Sequence, residues 1–149
     1  MKNKFDLFLS LSTELTGFEL IRLLGTGMQL TYFDIVCDRT GKDNSDLLWK
    51  EWKMVQSKAD DIEEAIRVRI LSHPQLGPMA RNIITLWYLG QWNQMPATWR
   101  SNYGSQPSDV TQIISGESYK EGLVWMAIDA HPMGAKQPGF DSWSAPPTQ

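Results

Sequence analysis

PMARNIITLWYLG, residues 78–90, carries a single charge, Arg81, among Met79, Ile83, Ile84, Leu86, Trp87, Tyr88 and Leu89. The stretch reads as a buried helix, and Gly90 is placed to stop it. On its N-terminal side, Ala59 to Ser72 has the clearest two-faced pattern in the chain. Asp60, Asp61, Glu63 and Glu64 lead, with Arg67 and Arg69 toward the end. This order of charges suits the helix dipole, and it reads as a solvated face, not a pair of catalytic carboxylates. His73-Pro74 closes the segment. Further upstream, Asp46 to Gln56 predicts a helix with Leu48, Trp49, Trp52 and Val55 on one face. A polar loop is expected over Asp38 to Ser45.

Near the start, Phe5, Phe8, Leu9, Leu11 and Leu15 recur at helical spacing, with Gly17 as the stop. Glu19 to Cys37 is the next helical stretch, its apolar positions being Leu20, Leu23, Leu24, Leu30, Phe33 and Ile35. Gly25-Thr26-Gly27 interrupts it. That G-x-G lacks the third glycine of a dinucleotide loop, since position 30 is Leu, and no strand precedes it. It reads as a bend or a close helix approach.

Downstream of Gly90 the pattern dissolves. Gln91 to Ser115 sets Trp92, Trp99 and Tyr103 among Asn, Gly, Pro and Ser, which reads as a long surface arm with a short strand or turn at Val110 to Ile114. Ser118 and Glu121 form an S-x-x-E box before the uncharged run Gly122 to Ile128, predicting one helix buried on every side that stops at His131-Pro132. Met133 to Gln149 is rich in Gly, Pro and Ser, with Phe140 and Trp143 as lone aromatics, and is expected to be an extended arm. The whole predicts an all-α domain over residues 1–132, an irregular bundle of five or six helices with a long aromatic loop, followed by a docking arm over 133–149.

Composition narrows the function. A net charge of -3 argues against nucleic acid, because phosphate binding needs a basic face. No apolar run approaches the roughly 20 residues that span a bilayer. Cys37 is the sole cysteine, so neither an internal disulfide nor an all-cysteine iron–sulfur site can form, and no CxxC, HExxH, CxxCH or G-x-S-x-G occurs. His73 and His131 both precede proline and read as helix-end residues. Seven tryptophans, at 49, 52, 87, 92, 99, 125 and 143, are many for one small core, and they suggest a permanent protein partner.

The segments FLSLSTELTGF (8–18), TLWYLGQW (85–92) and EGLVWMAIDAHPMGAKQPGFDSW (121–143) together resemble the small subunit of membrane-associated, FAD-dependent sugar and polyol dehydrogenases. These are the sorbitol, fructose and glucose dehydrogenase complexes of bacteria. The resemblance runs from about Phe8 to Trp143, and AHPxGAKQPGFxSW is its most specific part. It implies a non-catalytic chain, with no catalytic, cofactor or metal residue of its own. A large subunit of the glucose–methanol–choline type would carry FAD, with an iron–sulfur cluster as a further option, and would oxidise the sugar. A cytochrome c subunit with haem c would pass electrons on to quinone.

The resemblance further implies that this chain helps the large subunit mature and reach the periplasm. The family's leader carries twin arginines; Met1-Lys-Asn-Lys does not, so the expectation is a periplasmic chain lacking its leader, with a cytoplasmic one as the alternative. Carried onto this sequence, the docking surface is expected to include Trp92, Trp99 and Tyr103, and Pro138, Gly139, Phe140 and Trp143. The competing readings are a homo-oligomeric helical scaffold or chaperone, and a helical enzyme working through Cys37 or His131.

Overall fold

A computed structural model describes residues 3–128. Expectations that rest on His131, Pro138, Gly139, Phe140 and Trp143, and on the 133–149 arm, lie outside the described residues. Within them the chain is helical, with one two-stranded ribbon: α1 (Lys4–Thr16), α2 (Leu20–Gly25), α3 (Gln29–Thr40), α4 (Lys42–Lys58), α5 (Ile62–Ile66), a π-helical turn (Arg67–Leu71), α6 (Leu76–Leu89), β1 (Gln91–Trp92), α7 (Ala97–Tyr103), β2 (Gln112–Ile113), α8 (Gly116–Lys120) and α9 (Leu123–Ala127). The four long helices, α1, α3, α4 and α6, form the bundle. Short turns of helix make its connections.

The sequence punctuation works locally. Asn3 Oδ1 accepts from the Asp6 amide (2.8 Å) to cap α1, and Gly17 ends it. The polar loop expected over Asp38 to Ser45 does not form: α3 runs to Thr40 and α4 starts at Lys42. Gly41 alone makes the turn, at φ 95, a conformation that a side chain disfavours. Inside α4, Asn44 Nδ2 donates to the Thr40 carbonyl (2.7 Å) and to the Tyr103 carbonyl (3.0 Å), so its polar groups are used by the fold. His73 Nδ1 accepts from the amides of Gln75 (3.1 Å) and Leu76 (3.2 Å), closing the turn that leads into α6, whose N-cap position is Gln75.

α6 sits at the centre, touching α1, α3, the π turn, β1, α8 and α9. Its core face joins an aromatic cluster: Phe8 stacks on Trp87 (6.0 Å) and meets Trp49 edge-on (6.0 Å), and Tyr32 meets Trp87 at 5.0 Å. Leu89, expected in the core, is 46% exposed at the end of α6.

The expected single helix after Ser118 is two short ones. Ser115, not Ser118, is the cap: the Ser118 amide donates to Ser115 Oγ (3.0 Å), and the Ser115 amide donates back to Ser118 Oγ (2.9 Å). Ser118 is buried, and its hydroxyl donates to the Gly90 carbonyl (3.0 Å), fastening α8 to the end of α6. Nor is the apolar run buried all round. Leu123 is buried, whereas Met126, Ala127 and Ile128 are exposed. Two glycines permit this packing: a Cβ at Gly90 would lie 2.4 Å from the Ser118 carbonyl oxygen, and one at Gly122 would lie 2.6 Å from that of Tyr88.

Candidate interaction surface

Trp92 and Trp99 were expected on a projecting arm. Instead, the segment after Gly90 folds back upon the bundle. β1 pairs antiparallel with β2, Gln91 opposite Ile113 and Trp92 opposite Gln112, and α7 fills the interval between them. The hinge of this unit is Asp109, which is 2% exposed. Its carboxylate accepts from the Trp92 indole N–H (2.7 Å, Oδ1) and from the Met95 amide (3.1 and 3.2 Å). Arg39 lies close enough to interact with that charge, and its guanidinium donates to the Val110 carbonyl (3.2 Å) and to Gln112 Oε1 (2.7 Å). Trp92 is wholly buried. Trp99 is buried too, its indole donating to the Gln75 carbonyl (2.8 Å), and Tyr103 is half-buried against it at 5.6 Å.

The indole count therefore does not demand a partner. Trp49, Trp52, Trp87, Trp92 and Trp99 are all buried in the chain's own core. Trp52 donates to Ser10 Oγ (2.8 Å), while half-buried Trp125 donates to the Tyr119 carbonyl (2.9 Å). Five large rings fit because the core is assembled from α1, α3, α4, α6 and the refolded segment together, a larger apolar volume than helical periodicity suggested.

Several apolar positions of the Glu19–Cys37 stretch face solvent. On α2 only Leu23 is buried; Leu20, Ile21 and Leu24 are 45%, 73% and 40% exposed, and Leu30 at the start of α3 is 62% exposed. A six-residue helix with four aliphatic positions cannot turn them all inward. That surplus was the sequence signal for a solvent-facing apolar patch. Position is set by the α1–α2 turn, where the Tyr88 hydroxyl donates to the Thr16 carbonyl (3.0 Å) and Phe18 packs edge-on against Tyr88 (5.8 Å). Arg22 Nη1 lies 3.5 Å from the sulfur of exposed Met126, which brings the α9 side chain alongside α2.

Polar chemistry is sparse in this region. Cys37 is half-buried, and burial pushes its thiol up, away from the thiolate that nucleophilic work requires, with Ser45 and Trp49 nearby. Among the described residues no group of three or more His, Cys, Asp or Glu could hold a metal ion, and no helix is long and apolar enough to cross a membrane. No protein-family model, curated protein or solved structure matches the chain.

Proposed function

We propose that this chain is the accessory subunit of an FAD-dependent sugar or glycoside dehydrogenase of the glucose–methanol–choline type. It binds and stabilises the catalytic subunit and assists its maturation and export to the periplasm. Chemistry resides in the partner, and electrons leave through a cytochrome c to quinone. Two things support this reading. The first is the resemblance carried by FLSLSTELTGF, TLWYLGQW and AHPMGAKQPGFDSW. The second, which carries most weight, is the set of exposed aliphatic side chains on α2, Leu20, Ile21 and Leu24, with Met126 of α9 beside Arg22. Three aliphatic side chains left in water on one short helix favour burial against another protein.

The test is co-expression with a large flavoprotein subunit of that class, comparing the parent with the Ile21→Glu, Leu24→Glu double variant. Both positions are exposed, so the fold should tolerate the change. A co-purified, yellow 1:1 complex that the double variant fails to form is the expected result. A stable monomer that ignores the flavoprotein would sink the proposal. A symmetric dimer in light scattering, lost in the same variant, would instead favour the homo-oligomeric scaffold, because that face would then pair with itself.

A further inference from the structure

A second surface lies at the other end of α1. Asn3, Lys4, Phe5 and Leu7, with Phe33 of α3 and Trp49, Lys50 and Lys53 of α4, enclose a groove of about 770 Å³. Its floor is aromatic. Phe33 stacks on Trp49 at 5.9 Å, and Phe5 meets Phe33 edge-on at 5.6 Å, with Phe5 and Phe33 half-exposed. One wall is the pair of Lys4 and Asp46 (2.8 Å), and Asp46 is engaged a second time by Lys42 (2.7 Å). That carboxylate is thereby neutralised. Lys50 and Lys53 stand exposed on the rim, and among the described residues neither has a carboxylate within ion-pair distance.

The rim is cationic in a chain whose net charge is -3. An apolar floor below two unpaired ammonium groups complements a ligand that is apolar at its centre and anionic at its edges. The groove is open to solvent along one side, unlike pockets that bury most of a small ligand. An occupant that leaves its outer face wet, or covered by the body it belongs to, fits this shape best.

We infer that the groove receives an acidic peptide segment of a partner protein, with one aromatic or branched side chain set on Phe5 and Phe33 and flanking carboxylates on Lys50 and Lys53. The anchor contributes the apolar contact, and the two lysines orient the segment and speed its encounter. The groove is built from residues of α1, α3 and α4 that the α2 side chains do not supply, so the inference stands independently of the flavoprotein reading.

Fluorescence anisotropy on the full chain tests it, with a labelled peptide EEDFLDE, its basic counterpart KKKFLKK and the anchorless EEDSSDE. EEDFLDE should bind saturably and weaken as salt rises, and the other two should bind at least about tenfold more weakly. The exposed pair Lys50→Glu, Lys53→Glu should lower affinity for EEDFLDE by a similar factor and restore some for KKKFLKK, with an unchanged circular-dichroism spectrum. The inference is overturned if EEDFLDE and KKKFLKK bind alike, if the double variant binds EEDFLDE as the parent does, or if the groove takes up decanoate while showing no affinity for any of the peptides.

Discussion

Replacing Asp109 by alanine removes the acceptor on which the segment after Gly90 closes. Two donors, the Trp92 indole and the Met95 amide, then remain in a buried site with nothing to bond. Each orphaned donor costs about 1–3 kcal/mol. Relief from burying a carboxylate returns part of this, though Arg39 nearby already compensates some of that penalty. A net loss of about 2–3 kcal/mol follows. Trp92→Phe keeps most of the ring and loses one bond, leaving Asp109 with Met95, and should cost about 1–2 kcal/mol. In the Trp92→Phe background, Asp109→Ala should cost about 1–1.5 kcal/mol less than it does alone, since one of its two clients is already gone. Urea denaturation followed at 222 nm gives all four corners of the cycle. Amide exchange should show β1, α7 and β2 opening first in the Asp109 variant. If the two substitutions add to within about 0.3 kcal/mol, the carboxylate does not fasten Trp92, and the account of that segment as folded core fails.

Three further outcomes are expected. Gly122→Ala should destabilise by about 1–3 kcal/mol in the same denaturation assay, because its methyl would meet the Tyr88 carbonyl; a gain in stability would refute that close approach. Hydrogen bonds from Lys4 and Lys42 hold the Asp46 carboxyl below its ordinary value, so its contribution is present above about pH 4 and is lost as pH falls through the lower folded-state value. Asp46→Asn should thus melt below the parent at neutral pH, with the gap closing in acid, and a gap independent of pH would exclude the ion pairs as its cause. Burial pushes the Tyr32 phenol up, so stability from its neutral form is complete below about pH 10 and drains away as pH rises beyond it. Tyr32→Phe should lose less of its melting temperature on moving to strongly alkaline buffer, and equal losses would show that Tyr32 does not report on the fold.

Helical spacing, end-capping residues and the stops at Gly17 and Gly90 were readable along the chain because each depends on neighbours within four or five positions. The faces that α4 and α6 bury follow the same rule, as Leu48, Trp49, Trp52, Ile83 and Trp87 show. What the rule misses is any acceptor or contact supplied from far along the chain. Trp92 looked like a surface anchor because its partner, Asp109, stands 17 residues away across α7. Gly122 looked like the inside of one helix because the Tyr88 carbonyl that a side chain there would strike belongs to another element. Leu20 and Leu24 were readable only as apolar positions, because periodicity marks such a position without saying whether the side facing it is occupied. The all-α class thus rests on local sequence. Which aromatics are hidden, and which aliphatics stay exposed, depended on how the bundle closed, because burial is a property of the surface that remains once every long-range contact has been made.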